Sequence, residues 1–208
     1  MKKTLTLLAL GLVPSVALAD PTVTVGGALN FGFDAEDKVE YAATTAELFA
    51  DYENNGFRAG LWLGSLYKEV EDFEYELTIG YGRDIGDFYY DVGLIGYFLA
   101  KDGYQSTGLG LEFGYALTDQ LTAALYSEVD LDSKDWIHEL SLEYAIDDRW
   151  TLAGLVGRDV AAGVNYGEIG VGYAINDSVA LELLYENGED TTGFVTFTIA
   201  FETTVFGG

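Results

Sequence analysis

Apolar and polar side chains alternate at every second position over long stretches of this chain. In residues 73–82 the odd positions hold Phe, Tyr, Leu, Ile and Tyr, whereas the even positions hold Glu, Glu, Thr, Gly and Gly. The same alternation occurs in residues 23–34, 108–115 and 195–202. A β-strand turns successive side chains to opposite faces, whereas an amphipathic helix repeats its apolar residues every three or four positions. The spacing of two therefore predicts strands with one apolar and one polar face.

A repeated turn divides the second half of the chain. Its tyrosines, Tyr115, Tyr144 and Tyr173, are each 29 residues apart, and each is followed by alanine, an aliphatic residue and a group of turn formers. A period of this length holds two strands and their two connections, which makes the repeat a β-hairpin. Residues 54–56 and 84–87 are earlier members of the same set. Five short turns therefore alternate with longer, charged connections.

Twelve strands result when the stretches between turns are counted, and bacterial outer-membrane barrels have an even number of strands. The strands are predicted at residues 22–33, 45–54, 56–66, 73–83, 88–98, 106–117, 121–131, 136–146, 150–159, 163–175, 179–186 and 193–203. The longer connections are predicted at residues 34–44, 67–72, 100–105, 130–135, 159–163 and 187–193. Short turns of such barrels face the periplasm, and longer loops face outside. The predicted fold is all-β: a single antiparallel up-and-down transmembrane β-barrel of about twelve strands.

Aromatic residues gather at both ends of the predicted strands. Those beside the short turns are Tyr52, Phe57, Tyr81, Phe88, Tyr115, Tyr144, Trp150 and Tyr173. Those beside the longer loops are Tyr67, Phe73, Phe98, Trp136, Tyr185 and Phe194. Two such bands match the interfacial aromatic girdles of a membrane barrel. The alternative is that aromatic residues simply favour strands, but that preference predicts them in mid-strand just as often.

The first nineteen residues have the pattern of a cleavable signal peptide. Lys2 and Lys3 form a basic start, residues 5–13 form an apolar run, and residues 17–19 form an Ala-Leu-Ala cleavage site. The apolar run is too short for a membrane-spanning helix. We therefore expect a signal peptide at residues 1–19, a barrel at residues 20–208, and export to the outer membrane of a Gram-negative bacterium.

Composition narrows the function classes. The chain has 35 acidic and 10 basic residues, a formal net charge of −25 and no cysteine. A surface this acidic repels nucleic acid, and the absence of cysteine leaves no disulfide or thiolate chemistry. No long apolar run follows the signal peptide, which excludes a helical membrane protein.

The polar face of the predicted strands carries many carboxylates. The residues predicted to line a pore are Glu74, Glu76, Asp91, Glu112, Glu128, Glu143, Glu168 and Glu182, together with Arg58. Inward glycines lie between them and are expected to widen the lumen. All four lysines outside the signal peptide fall in the longer loops. Because carboxylates attract cations and repel anions, this face predicts a narrow, cation-preferring pore. Equally, an acidic proteome in a salt-adapted organism would place acid on every polar face.

The longer loops are acidic as well, which predicts partners at the membrane surface. Hard divalent cations bind carboxylates and could bridge the loops to lipopolysaccharide and other membrane lipid. Residues 130–133, Asp-Leu-Asp-Ser, lack the glycine and terminal glutamate of a dedicated calcium loop, so we expect no specific metal site. The barrel-assembly machinery is a further expected partner, and the oligomeric state is open.

Enzymatic chemistry finds little support in the sequence. The chain has one histidine, His138, whose parity places it on the lipid-facing side of its strand. Ser127 and Ser141 are the neighbouring candidate nucleophiles, but Ser141 has the opposite parity, and no triad is evident. No Gly-rich phosphate loop occurs, since Gly108 and Gly110 lie in a strand. We predict no catalytic residue, no cofactor and no enzyme activity.

The segment from Phe73 to Gly103, beginning Phe-Glu-Tyr-Glu-Leu-Thr-Ile-Gly-Tyr-Gly-Arg-Asp, resembles a family of porin-like outer-membrane proteins of Gram-negative bacteria. The segment Gly-Phe-Arg-Ala-Gly-Leu-Trp at residues 56–62 resembles the preceding hairpin of that family. The resemblance covers about half of the mature chain. It implies the barrel and the outer membrane, and it implies no substrate and no functional residue.

The leading hypothesis is a passive channel for small solutes or cations. Alternatives are a non-conducting structural or surface-interaction barrel acting through its acidic loops, a membrane-embedded enzyme, and a water-soluble barrel with its apolar face inside. The end of the chain departs from the usual barrel pattern. Alternation holds back from Phe201 but not from Phe206, which indicates either a bulge in the last strand or a weak assembly signal.

Overall fold

Twelve strands make up the structure, a computed structural model that describes residues 21–36, 38–66, 73–189 and 193–207. They are β1 (Thr22–Asp34), β2 (Glu40–Asn54), β3 (Phe57–Ser65), β4 (Phe73–Ile85), β5 (Phe88–Leu99), β6 (Gly103–Thr118), β7 (Leu121–Asp130), β8 (Trp136–Ala145), β9 (Trp150–Asp159), β10 (Val164–Asn176), β11 (Val179–Gly188) and β12 (Phe194–Phe206). The predicted signal peptide and the predicted loop at 67–72 lie outside the described residues. Among the described residues, no helix is long and apolar enough to cross a membrane.

Each strand pairs antiparallel with its neighbours in sequence, and β12 pairs with β1. The sheet is therefore a closed up-and-down barrel. Closure leaves no edge strand whose backbone N–H and C=O groups lack a partner. The prediction of a twelve-stranded all-β barrel is confirmed.

Two predicted loops are shorter than expected. Strand β2 begins at Glu40, because residues 40–44 pair with β1 through their backbones although their side chains do not alternate. Strand β6 begins at Gly103, where a φ of +72° permits a tight connection of three residues after β5. Side-chain alternation underestimates strands at these ends because backbone pairing does not require an apolar face.

The last strand contains a bulge, which is one of the two explanations that the sequence analysis offered for its irregular end. Val23 pairs with Phe206 and Thr24 pairs with Thr204, so Val205 is an extra residue on β12. The extra residue shifts the parity of the final positions, which explains why alternation fails when it is counted back from Phe206. Strand β12 thus continues in the barrel wall to Phe206.

Polar residues are buried in this barrel, and large apolar residues are exposed. The buried polar residues among those described are Asn30, Glu128, Glu168, Glu182 and Thr198, whereas the buried apolar residues are Ala153 and Leu184. Exposed aliphatic residues occur along most strands, for example Leu77, Leu125 and Ile169. Exposed aromatics include Phe57, Tyr115 and Trp150 near the short turns and Tyr41, Tyr104 and Trp136 near the other end. The water-soluble alternative, with its apolar face inside, is therefore wrong.

A hydrogen-bond network joins four strands at the closing seam. Thr198 on β12 donates from Oγ1 to Asn30 Oδ1 on β1 at 2.8 Å, and the Asn30 amide donates to Glu47 on β2. Trp62 on β3 donates from Nε1 to Glu47 Oε2 at 3.1 Å. Thr198 is 2% exposed and Asn30 is 5% exposed, so water cannot replace these bonds. The network ties the two ends of the chain together inside the wall.

Replacing Thr198 by valine should destabilise the barrel, because Asn30 Oδ1 would lose its donor in a buried site. We expect the free energy of unfolding to fall by about 1–3 kcal/mol, as measured by urea unfolding of the refolded protein in detergent micelles. The control is Thr196→Val, which makes the same change two residues away on the same face of β12. Equal stability of the two variants would contradict a structural role for the seam network.

Candidate functional site: the barrel interior

The register of the strands brings the predicted pore residues onto one face. Arg58 pairs with Gly80, Gly80 with Gly93 and Gly93 with Gly110, and Gly110 pairs with Glu128. Paired residues share a face, so this row fixes the face for β3 to β7. The remaining predicted residues, which share that face by parity and pairing, are Glu74, Glu76, Asp91, Glu112, Glu143, Glu168 and Glu182.

This shared face is the concave side of the wall. Arg58 on β3 forms an ion pair with Asp91 on β5, across the intervening strand β4. Side chains two strands apart meet in this way where the wall curves towards them. Gly80 and Gly82 of β4 lie beneath the pair, since a Cβ at Gly80 would lie 3.0 Å from Arg58 Nε. Among the described strand residues that point inward, Arg58 is the one cation, and its charge is already paired.

Tyrosines hold two further carboxylates across the wall. Tyr97 on β5 donates to Glu128 on β7, at 2.9 Å to Oε1, and Tyr126 donates to Oε2 of the same glutamate at 2.5 Å. Tyr166 on β10 donates to Glu139 Oε1 on β8 at 2.5 Å, across β9. Bonds from phenol to carboxylate orient these side chains along the wall.

Tyr89 forms a similar bond on the neighbouring strand, donating to Glu112 Oε1 at 2.6 Å. The inward aromatic residues were missed by the sequence reasoning, which assigned tyrosines to the two rims. Their parity was the available signal: Tyr89 and Tyr97 have the same parity as Asp91 on β5, and Tyr126 has that of Glu128 on β7.

Inward glycines provide the space in which these tyrosines lie. A Cβ at Gly110 would lie 2.8 Å from the Tyr126 hydroxyl, and a Cβ at Gly157 or Gly114 would overlap the ring of Tyr166 or Tyr89. The expectation that such glycines widen the lumen therefore needs correction. At these positions the space is filled by a neighbouring side chain that lies flat against the wall.

One group of carboxylates is less well satisfied. Glu168 and Glu186 are directly opposite each other on β10 and β11, and Glu182 lies four residues from Glu186 on the same face of β11. Glu168 is 7% exposed, and its Oε2 has no hydrogen-bond partner. An unpartnered buried carboxylate oxygen is costly without a proton or a cation. Among the described residues, no three acidic or histidine side chains are arranged to hold a metal ion.

The outer wall carries the candidate nucleophile and base. Ser127 pairs with His138 in register, and Ser127 Oγ lies 2.9 Å from His138 Nδ1. Ser127, one of the two candidate nucleophiles, is therefore within hydrogen-bond reach of the histidine. Trp136 stacks on the His138 ring at 5.7 Å, but no described carboxylate or amide bonds the other ring nitrogen. A base without a group that orients it does not make a triad.

A carboxylate at the end of β7 forms hydrogen bonds with the backbone of the acidic loop that follows. Asp130 Oδ1 accepts hydrogen bonds from the amides of Asp132 and Ser133, at 2.8 and 2.9 Å. This carboxylate oxygen therefore orders the turn.

The structure as a whole is that of a closed barrel with a polar interior and an apolar exterior, which is the distribution found in membrane barrels. No protein-family model matches the chain, and no curated protein matches it in sequence. Several solved structures match its fold.

Three of these structures are porins. A KdgM porin in complex with disordered oligogalacturonate has a TM-score of 0.67 at 10% identity, covering 88% of this chain and 99% of that chain. A NanC porin has a TM-score of 0.60 at 12% identity, covering 88% of this chain and 100% of that chain. A triple mutant of the Rhodopseudomonas blastica porin has a TM-score of 0.51 at 10% identity, with coverage of 88% and 100%. The predicted porin-like character is confirmed for the fold.

Replacing Gly157 by alanine should destabilise the barrel, because the new methyl group would displace Tyr166 from Glu139. We expect a loss of about 1–3 kcal/mol in the free energy of unfolding, as for other overpacked sites, measured by urea unfolding in micelles. Gly154→Ala on the same strand is the control, since its Cβ would make only an ordinary contact of 3.7 Å. A neutral Gly157→Ala variant would show that Tyr166 does not depend on this space.

Proposed function

We propose that the chain is a narrow channel of a Gram-negative outer membrane, through which small solutes pass and in which cations are preferred. The observation that carries the proposal is the charge of the inward face. Many carboxylates point inward, whereas Arg58 is the one inward cation of the strands that the structure describes and is paired with Asp91. Such a face raises the local concentration of cations and excludes anions.

The outer face supports a position in the membrane. Exposed aliphatic residues such as Leu94, Leu142 and Leu183 lie between two levels of exposed aromatic residues. The strands are 9 to 16 residues long, and a tilted strand needs about 9–11 residues to cross the hydrocarbon. A closed sheet also satisfies the backbone groups that lipid cannot. The predicted signal peptide would direct export, with the short turns facing the periplasm.

The acidic interior favours solutes different from the one bound by a related fold. The KdgM porin was solved with oligogalacturonate, which carries a carboxylate on every sugar unit. An interior dominated by carboxylates would repel such a polyanion. We therefore propose that cations and uncharged small solutes are the permeant species here.

Conductance of the refolded protein in a planar bilayer under a potassium chloride gradient tests the proposal. We expect discrete steps and a reversal potential of the sign that marks cation selectivity. Glu112→Gln combined with Glu128→Gln should shift the reversal potential towards zero, because two inward carboxylates that accept hydrogen bonds from tyrosines lose their charge. Asp177→Asn, in an exposed short turn, is the matched control and should leave the reversal potential unchanged. Inserted, folded barrels without steps would instead favour the non-conducting surface-interaction barrel.

Acidification provides an independent measurement on the unmodified protein. Carboxylates are charged above their pKa and neutral below it, so inward negative charge is lost as the pH is lowered from about 7 to about 3. We expect the cation selectivity to decline over this interval and to return when the pH is raised. Selectivity that is constant down to pH 3 would mean that the inward carboxylates do not set it.

A further inference from the structure

A row of polar side chains crosses the outer wall from β7 to β10. Ser127 pairs with His138, His138 with Arg158 and Arg158 with Asn165. The four residues therefore lie side by side on four neighbouring strands. Their inward neighbours include Glu128 and Glu139, and the row itself therefore points outward. It lies at the ends of these strands that carry the loops after β7 and β9, close to the exposed ring of Trp136.

Hydrogen bonds connect neighbouring side chains of the row. Ser127 Oγ lies 2.9 Å from His138 Nδ1, and Arg158 donates from Nη1 to Asn165 Oδ1 at 2.8 Å. Asn165 donates from Nδ2 to Glu189 Oε2 at 3.1 Å. The amide of Asn165 thus stands between the guanidinium and that carboxylate. With Nδ1 turned to Ser127, the other nitrogen of His138 is left for a ligand.

Arg158 is unusual in a chain with 35 acidic and 10 basic residues. No carboxylate of a described residue lies within 4.0 Å of its guanidinium, whereas Arg58 inside the barrel is paired with Asp91. Next to this polar row, the exposed outward residues include the apolar Leu140 and Val156. A guanidinium at the edge of an apolar wall is stable when an anion from outside the protein completes its hydrogen bonds.

We propose that Arg158 and His138 bind the phosphate group of a membrane lipid at the rim of the barrel, with Asn165 holding the guanidinium in place. The planar fork of arginine fits two phosphate oxygens, which a lysine cannot match. The row lies at the long-loop rim beside Trp136, so the site faces the lipids of one leaflet. The phosphate contacts the protein directly here and needs no divalent cation between two negative groups.

This inference rests on the proposed membrane position of the outer wall and not on conduction. The test titrates the refolded protein in detergent with lipopolysaccharide that carries its phosphates, in buffer containing a chelator of divalent cations, and measures binding by calorimetry. Arg158→Gln should weaken binding about tenfold or more, as expected when a charge-assisted hydrogen bond is lost. The affinity of Arg158→Lys should lie between those of the unmodified protein and Arg158→Gln, because lysine keeps the charge and lacks the planar fork of arginine.

Arg83→Gln is the matched control. Arg83 also points outward, but it lies at the short-turn rim over the ring of Tyr81, 5.7 Å from its centroid. Its replacement should leave the affinity unchanged. Heat-modifiable migration in gels establishes that each variant is folded before it is titrated.

Three results would overturn the inference. Arg158→Gln could bind as tightly as the unmodified protein, dephosphorylated lipopolysaccharide could bind equally well, or the chelator could abolish binding and so point to cation bridges from the acidic loops. Bilayer conductance of Arg158→Gln separates this inference from the proposed channel. Because Arg158 is on the outer wall, conductance should be unchanged when lipid binding is lost.

Discussion

Pairing of β1 with β12 is the interaction on which the rest of the structure depends. It removes the two free edges that an open twelve-stranded sheet would have, so that every strand has a partner on both sides. Only then can the outward face consist of apolar side chains without exposed backbone groups beside them. The seam is also where Thr198, Asn30 and Glu47 join side chains from different strands, which places the best-buried polar contact at the point of closure.

Closure produces an interior that differs from the core of a soluble domain. Few apolar residues are buried, and the inward positions hold carboxylates, tyrosines and glycines. The glycines allow side chains from neighbouring strands to lie across the wall, as Tyr166 does over Gly157. Polar side chains of the interior therefore bond to each other across one intervening strand. The curvature of the wall makes these contacts possible.

Charge is divided between the two sides of the wall. Carboxylates dominate the inward positions, whereas three arginines lie outside: Arg83 and Arg149 near short turns, and Arg158 near the opposite rim. Arg83 lies over Tyr81, and Arg149 donates to the Tyr173 hydroxyl at 3.3 Å. Pairs of arginine and tyrosine are suited to the boundary between hydrocarbon and headgroups, where one part of each side chain is apolar and the other is polar. This division connects the proposed passage of cations inside with the proposed phosphate contact outside.

The sequence by itself determined the strands, their number and their two faces, because side-chain parity follows directly from the pleat of a strand. Residues 73–82 and 108–115 show this alternation without any knowledge of their partners. The bulge at Val205 and the early start of β2 at Glu40 depended on pairing with β1, which a single strand does not encode.

Contacts between strands were decided by the tertiary structure alone. The bond from Tyr97 to Glu128 joins residues 31 positions apart across an intervening strand, and the approach of Ser127 to His138 depends on the register of one hairpin. Parity assigns each side chain to a face but not to a height on the barrel. Register and curvature supply that second coordinate, and they arise only when the sheet closes.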